Sequence, residues 1–219
     1  MPGGLRDRAG DQGMKSYLIR HSITYGNTLG RYIGVTDEPL CQEGVTLLQR
    51  KIYPNVDAVY ASPLKRCTQT AEIIYPGKAI HIIEDLAECN FGIFENKNYK
   101  ELDGQAAYQQ WIDSGGTLPF PGGESQETFR DRCARGFERV MADSIRAGHP
   151  SAALIVHGGT IMAILERFAV PREDFYFWQV KNARGYEIEI DEQQWMNGKR
   201  EVNVCCKLKI LTAEGGNYD

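Results

Sequence analysis

The chain has 219 residues, 42% of them hydrophobic and 25% charged, which fits one globular domain with a sizeable core. Its formal net charge of −4 argues against proteins that bind nucleic acid or an anionic membrane surface, because both need a basic excess. No apolar stretch approaches the roughly 20 residues that span a bilayer, so we expect neither nucleic acid nor membrane among its partners.

The first 13 residues, MPGGLRDRAGDQG, are polar and rich in glycine, and they lack the apolar segment of a secretory signal. We interpret residues 1–13 as a disordered extension or a cloning remnant, with Met14 as an alternative start, and residues 14–219 as a single domain. A cytoplasmic location is the default expectation. The six cysteines and four histidines show none of the spacings typical of metal ligands, so we expect reduced thiols and no metal site.

The first predicted strand is a short apolar run, residues 17–19, that ends at Arg20 and His21. In open α/β sheets, ligands bind at the carboxyl ends of the strands. A guanidinium offers a fork of donors that suits a phosphate or carboxylate, and an imidazole can act as nucleophile, base or metal ligand. If Arg20 and His21 are considered alone, the better interpretation is a strand that ends in two solvated polar residues. Only the downstream sequence reverses that preference.

The next elements alternate between loops, helices and short apolar strands. Residues 22–43 lack periodicity and predict a long surface loop, a kind of segment that is usually functional in a compact domain. A short helix follows at residues 45–51. Strands are predicted at residues 57–62 and 79–83, and a helix at residues 97–112.

The helix after the second of these strands carries a cation at its start. Ser62 suits the N-cap and Pro63 the first helical position, which places Arg66 in the first turn. The helix dipole disfavours a cation there by a few tenths of a kcal/mol, up to about 1. A bound anion would offset that cost, and a solvated arginine on an amphipathic helix is the alternative.

The middle of the chain repeats the design of its opening. A loop rich in Gly and Pro at residues 115–125 leads into a long helix, and a buried strand at residues 152–156 then ends in His157. Gly158 and its neighbour begin an apolar helix, and glycines at such a turn let an anion approach the backbone N–H groups. The long helix is predicted by apolar residues repeating at three and four positions: Phe129, Cys133, Phe137, Val140, Met141 and Ile145.

The remaining segments FYFWQV, GYEIEID and VNVCCKLKIL alternate apolar and polar residues and predict strands, including an antiparallel edge. Alternating strands and helices indicate an α/β fold, a three-layer α/β/α sandwich with a mostly parallel central sheet. Arg20, His21, Arg66 and His157 all follow strand ends, so they would converge on one crevice if those strands are parallel neighbours. Two arginines, two histidines and a helix N-terminus suit a phosphoryl dianion.

The chain resembles the histidine phosphatase superfamily, the phosphoglycerate mutase-like proteins, from about residue 14 to residue 191. The blocks that carry the resemblance occur in order as LIRHSIT, TDEPL, SPLKRCTQTAEI, LAECNFGIFE, PGGES and LIVHGG. Ordered occurrence of all of them is far more specific than any single block. Two departures stand out: Ser22 and Ile23 follow His21 where the family usually has Gly and an acidic or amide residue, and Asn96 follows Phe94-Glu95 where the family has Gly.

The resemblance implies a role for each matching residue. His21 would be the nucleophile, Arg20, Arg66 and His157 would bind the phosphoryl oxygens, and Glu88 would be the proton donor. Without the resemblance, Glu88 would be interpreted as an exposed carboxylate in an acidic turn. Further substrate contacts are expected from Asn27, Ser22, Thr24 and Gly158.

The implied function is a phosphomonoesterase that works through a phosphohistidine intermediate without a metal or a cofactor. Its partner would be a small phosphate ester, and the pattern resembles α-ribazole phosphatases and broad-specificity phosphatases, which favours a ribosyl or nucleoside 5′-phosphate such as α-ribazole phosphate. A phosphoglycerate mutase-type transferase and a non-catalytic phospholigand-binding protein are the alternatives. Monomer and homodimer both remain open.

The cap over the pocket is expected from residues 22–43 and 92–123, because aromatic residues concentrate in and next to these segments: Tyr25, Tyr32, Phe91, Phe94, Tyr99, Tyr108, Trp111 and Phe120. Only one arginine, Arg31, lies in these two segments. We therefore expect a rim that favours an ester bearing a ring over a small acid such as phosphoglycerate. About half of the aromatic residues should be plain core.

Overall fold

The protein is described by a computed structural model, which covers residues 13–208 and 210–212; the prediction for residues 1–13 therefore falls almost entirely outside the described residues. The strands are β1 (Met14–Arg20), β2 (Lys51–Ile52), β3 (Ala58–Ala61), β4 (Ile80–Ile82), β5 (Ser151–Val156), β6 (Ala169–Val170), β7 (Gly185–Ile190), β8 (Val202–Lys207) and β9 (Leu211–Thr212). The α-helices are α1 (Tyr25–Thr28), α2 (Gln42–Gln49), α3 (Lys65–Ile74), α4 (Tyr99–Leu102), α5 (Ala106–Asp113), α6 (Gln126–Ala147), α7 (Gly158–Phe168) and α8 (Glu192–Met196).

Seven of the strands form the central sheet, in the order β4-β3-β5-β1-β7-β8-β6. Neighbours from β4 to β1 run parallel, whereas β7 runs antiparallel to both β1 and β8. This arrangement confirms the predicted mostly parallel α/β sheet with antiparallel pairing on one side. The register sets Arg20 opposite Val156, so β1 and β5 end at the same level of the sheet.

Helices cover both faces of the sheet, and the alternation within β1 shows how. Leu18 packs with α6 and α7 in the larger core, while Tyr17 and Ile19 pack with α3 in the smaller core on the opposite face. Successive side chains of a strand point to opposite faces, so a strand that is apolar on both must lie between two layers. The three predicted layers are confirmed.

The long helix α6 follows its sequence signals closely. The Ser125 hydroxyl accepts a hydrogen bond from the N–H of Thr128, which caps the N-terminus, and Gly148 ends the helix with φ +70°. Within residues 13–208 and 210–212, no helix is long and apolar enough to cross a membrane.

Four local predictions were wrong. The segment 22–43, expected to be a loop throughout, contains the short helix α1, which the Thr24 hydroxyl caps. The helix expected at residues 97–112 is divided into α4 and α5, because Gly104 adopts φ +76° between them. Residues 175–178, expected within a strand, form a 3₁₀ helix that buries two of its four aromatic side chains. The helix after β3 begins at Lys65, with Leu64 and not Ser62 at its N-cap position.

Candidate active site

The ends of neighbouring strands bring together the four residues expected to converge. Arg20 and His21 leave β1, His157 leaves β5, and Arg66 is the second residue of α3, just after β3. The rings of His21 and His157 meet edge to face with their centroids 5.1 Å apart. Parallel strands with carboxyl ends at one edge thus produce the crevice that the sequence predicts.

The His21 ring is held in one tautomer. Its Nδ1 lies 2.7 Å from the carbonyl oxygen of Ser22, and a carbonyl can only accept, so Nδ1 carries the proton and Nε2 carries the lone pair. Burial, then the positive charges of Arg66 and Arg20, hold the pKa of His21 well below its usual range. The imidazole is therefore neutral at pH 7.

The His157 ring takes the opposite tautomer. Its Nδ1 accepts from Nε of Arg66 at 3.3 Å, and because a guanidinium can only donate, the proton must be on Nε2. That Nε2–H lies 2.7 Å from the hydroxyl oxygen of Ser62. The hydroxyl that the sequence assigns to a helix cap therefore orients this histidine. Burial, then Arg66, keeps the pKa of His157 well below its usual range.

The Arg66 side chain is completely buried and extensively bonded. Besides the bond to His157, its Nη1 donates to the carbonyl of Thr36, and its Nη2 donates to the carbonyls of Ile33 and Gly34, at 2.8 to 3.2 Å. Four of the five N–H groups of the guanidinium are thereby used. The positive charge is fixed in place before any ligand binds.

The Arg20 side chain is less completely satisfied. Nη1 donates to the carbonyl of Val180 at 2.8 Å, but Nε is buried and has no hydrogen-bond partner among the described residues. A Cβ added to Gly158 would lie 3.4 Å from the guanidinium, so this arginine rests against the start of α7. A buried donor without a partner is costly unless a ligand supplies the acceptor.

Glu88 lies at the same helix start. Its Oε2 accepts from the backbone N–H of Gly159 at 3.1 Å and its Oε1 from that of Cys89 at 3.0 Å. Burial raises the pKa of Glu88 despite these two bonds and the nearby charges of Arg66 and Arg20. A Cβ at Gly159 would stand 2.4 Å from Glu88 Oε1, so a larger residue here would displace the carboxyl group. The interpretation of Glu88 as an exposed carboxylate is wrong: it is 8% exposed.

Not every predicted contact is free to meet a substrate. The Ser22 hydroxyl donates to the carbonyl of Gly44 at 2.8 Å, and the Thr24 hydroxyl caps α1 by accepting from the N–H of Asn27. The side chains of Ser22 and Thr24 are both fully buried, so each stabilises the loop that carries His21. Asn27 stands nearer the site, and its Oδ1 accepts from Asn182 at 3.0 Å.

Three residues of the site carry no clear signal in the sequence. The Asn182 amide donates to the carbonyls of His21 and Ser22 and so holds the acceptor that fixes the His21 tautomer. Arg132 forms an ion pair with Glu124 at 2.8 Å and donates to the carbonyl of Glu88 at 3.3 Å. Glu124 belongs to the PGGES block, which is a partial signal, but no motif distinguishes Arg132 from the other arginines of α6 or Asn182 from its polar neighbours.

A cavity of about 180 Å³ opens beside Glu88 and Gly159. The predicted aromatic residues Tyr32, Phe91, Trp111 and Phe120 line it. Phe175 and Tyr176, which the sequence places on a strand, line it as well. Of the other predicted rim residues, Phe94 is fully buried, Tyr108 is half-buried against the core, and Tyr25 and Tyr99 are more than 60% exposed. The arrangement fits a ring that enters next to a carboxyl group.

No group of three or more His, Cys, Asp or Glu side chains in the described part of the chain is arranged to hold a metal ion. All six cysteines are free thiols. The site is therefore built from cations, neutral imidazoles and one protonatable carboxyl group.

Comparisons with known proteins agree with this geometry. The chain is 26% identical to the adenosylcobalamin/alpha-ribazole phosphatase of Salmonella typhimurium over 82% of its own length and 92% of that protein. It is 25% identical to phosphoserine phosphatase 1 of Hydrogenobacter thermophilus, over 89% and 94% of the two chains. In fold it is similar to the crystal structure of a putative alpha-ribazole-5′-P phosphatase from Escherichia coli, with a TM-score of 0.75, 21% identity and coverage of 94% and 100%. Residues 16–201 match the histidine phosphatase superfamily (branch 1), and the chain belongs to that family.

Proposed function

We propose that this protein is a phosphomonoesterase in which His21 is the nucleophile. The observation that carries the proposal is the neutral His21 ring, whose Nδ1–H is bound by Ser22 while Nε2 keeps its lone pair beside two arginines. A neutral imidazole can attack phosphorus, and a fixed tautomer presents the same nitrogen at every turnover. Membership of a phosphatase family supports the same chemistry.

The reaction runs in two steps. Nε2 of His21 attacks phosphorus, the P–O bond to the alcohol breaks, and the carboxyl proton of Glu88 passes to the departing alkoxide. Water then attacks the phosphohistidine, the P–N bond breaks, and the Glu88 carboxylate takes the proton of that water. Inorganic phosphate leaves, and His21 and Glu88 return to their starting states.

Arg20, Arg66 and His157 serve the transferring group through charge and position. Charge on the equatorial oxygens grows or is redistributed in the transition state, and preorganised cations stabilise it. The unpartnered Nε of Arg20 gives a specific donor for one oxygen. Asn182 bonds both to Asn27 and to the carbonyl of His21, which joins Asn27 to the loop that carries the nucleophile, and we assign Asn27 a phosphate-binding role.

Glu88 is suited to be the acid because burial raises its pKa, which favours the protonated carboxyl group that a proton donor needs. Its bond to Gly159 places it at the N-terminus of α7, on the boundary between the phosphate pocket and the aromatic cavity. The leaving alcohol has to cross that boundary.

The substrate is an ester whose alcohol carries a ring. Seven aromatic side chains line the cavity beside Glu88, whereas Arg31 is committed to Glu101 at 2.8 Å and is not offered to a second anion. A ribosyl or nucleoside 5′-phosphate fits these features, and the resemblance to an alpha-ribazole phosphatase makes α-ribazole 5′-phosphate the first choice. Residues 22–43 and 92–123 act as the cap of a single domain. Six free thiols suit the reducing cytoplasm, where we place the enzyme.

A substrate panel tests the proposal. Phosphate release from α-ribazole 5′-phosphate, a nucleoside monophosphate, phosphoserine and 3-phosphoglycerate is measured with EDTA present, and a denaturing quench at alkaline pH traps any phosphoenzyme. We expect the highest kcat/KM for the ring-bearing esters and an acid-labile, base-stable label. A clear preference for 3-phosphoglycerate would refute the ring-binding cap. Mutase activity without net hydrolysis, or binding without turnover, would replace the phosphatase assignment by one of its alternatives.

A further inference from the structure

The carboxylate of Glu95 accepts five hydrogen bonds, although it does not belong to the group of residues around His21. Its donors are the backbone N–H groups of Gly34, Val35 and Thr36, the Thr36 hydroxyl and the backbone N–H of Phe91, at 2.7 to 3.4 Å. A carboxylate offers about four lone-pair sites. The acceptor sites of the Glu95 carboxylate are therefore fully occupied by donors from residues 34–36 and from Phe91.

The opposite side of that segment faces the phosphate pocket. The carbonyls of Ile33, Gly34 and Thr36 accept from the two terminal nitrogens of Arg66. Residues 33–36 thus lie between a carboxylate bound to their N–H groups and a guanidinium bound to their carbonyls. The peptide groups that join residues 33 to 34 and 34 to 35 bond to both, with N–H toward Glu95 and C=O toward Arg66, so the hydrogen bonds of each group strengthen one another.

This arrangement explains how a fully buried cation is compensated. Among the described residues, Arg66 forms no ion pair with a carboxylate, and its guanidinium is completely buried. A buried charge is costly unless hydrogen bonds or an opposite charge compensate it. The negative charge of Glu95 reaches Arg66 through the intervening peptide groups and leaves the face toward the ligand free.

A glycine in the segment 33–36 allows its backbone to approach Glu95 closely. A Cβ at Gly34 would lie 1.9 Å from the carbonyl oxygen of Cys89 and 2.3 Å from Glu95 Oε1, so the segment can approach Glu95 only because residue 34 is glycine. The bond from Phe91 also ties Glu95 to the aromatic cavity, since Phe91 lines it.

We propose that Glu95 is a positioning residue, which holds residues 33–36 so that the Arg66 guanidinium, and through it the His157 ring, stays aligned with the phosphoryl group. The proposal rests on the proposed function for its catalytic meaning, but the alignment itself concerns phosphate binding. Loss of the Glu95 charge then weakens the binding of a phosphoryl dianion although Glu95 never touches it.

The test is a double-mutant cycle of Glu95→Gln and Arg66→Lys, with the Kd of inorganic phosphate measured by calorimetry and kcat/KM measured with the best ester. Hydrogen bonds to a charged group are stronger than neutral ones, so Glu95→Gln should weaken phosphate binding and lower kcat/KM by about tenfold. Because Glu95 acts through Arg66, Glu95→Gln should add little in the Arg66→Lys background. Glu101→Gln, a carboxylate of the same cap that pairs with Arg31, is the matched control and should leave both quantities unchanged.

Two results would overturn the proposal: an unchanged phosphate Kd in folded Glu95→Gln, or effects of the two substitutions that simply add. If thermal unfolding shows that Glu95→Gln is not folded, Thr36→Val removes a single one of the five bonds and the same cycle is run with it. A wild-type protein that binds phosphate but hydrolyses no ester would refute the proposed function alone, since the phosphate cycle can still be measured.

Discussion

The phosphate pocket and the aromatic cap are built in different ways. In the pocket, His21, Arg66 and His157 follow the ends of three adjacent parallel strands and are almost completely buried. The cap consists of short helices and loops, and its aromatic residues range from buried Phe94 to exposed Tyr99. Rigid elements place charges precisely, whereas loops place adaptable apolar surface. The pocket should therefore determine the chemistry, and the cap should determine which alcohol is accepted.

The largest effect is expected from His21→Ala, which removes the nucleophile from the pocket and leaves the cap intact. Turnover should fall to background and no base-stable phosphoenzyme label should accumulate, because no neighbouring group can replace Nε2. Thermal unfolding checks that the fold is retained. His81→Ala, at an exposed position on β4, is the control and should behave like wild type. Normal hydrolysis by His21→Ala would refute the mechanism in which His21 is the nucleophile.

Glu88→Gln separates proton donation from binding at the boundary of the two regions. With alkyl phosphates the rate should fall by about 10² to 10⁴, because an alkoxide needs a proton. With p-nitrophenyl phosphate the loss should be small, since nitrophenolate departs without one. Equal losses on both substrates would show that Glu88 holds the pocket together and does not act as the acid.

Trp111→Ala alters the cap alone. KM for a ring-bearing ester should rise by about tenfold through lost stacking, while kcat and the affinity for inorganic phosphate stay near the wild-type values. The exposed cap residue Tyr99 provides the control Tyr99→Ala. If Trp111→Ala impaired phosphate binding as strongly as ester binding, the division between pocket and cap would fail.

The pH dependence of stability reports the buried histidines of the pocket. Their folded pKa values are depressed below the unfolded value of about 6.5, so the unfolded chain takes up protons that the folded chain does not. The free energy of unfolding should therefore fall as pH drops below about 6.5. Thermal scans between pH 7.5 and 5.5 should show a smaller fall for His21→Asn than for wild type. Identical slopes would mean that the pKa of His21 is the same in the folded and the unfolded chain, which would contradict its depression in the pocket.

The smallest effect concerns Asn96, which the sequence marks as a departure from the family pattern. It adopts φ +57°, in the region that favours glycine but that asparagine also tolerates. Asn96→Gly should leave activity unchanged and shift the free energy of unfolding by no more than about 0.5 kcal/mol. Asn96→Val should lower the melting temperature, and an unchanged melting temperature would contradict this assignment.

The sequence was most informative where one physical preference dominates. The period of α6 and the apolar runs of β1 and β5 predicted their elements, and the polar residues at the strand ends predicted the pocket. The wrong predictions concern features that depend on contacts between distant parts of the chain. Ser62 has the composition of a helix cap, but its hydroxyl is recruited by His157, and no local pattern encodes that choice. The aromatic segment that includes Tyr176 alternates like a strand, yet packing against α7 makes it helical.

The hydrogen bonds that Arg66 forms with the protein limit the kind of ester that the pocket can select. Four of its five N–H groups are hydrogen-bonded to the protein. Arg66 therefore has too few free donors to bind a ligand by a bidentate contact. What it retains is its full positive charge in a medium of low polarity. Discrimination should then follow ligand valence: a monoester, doubly ionised above about pH 6, is held more strongly than a singly charged diester of the same alcohol.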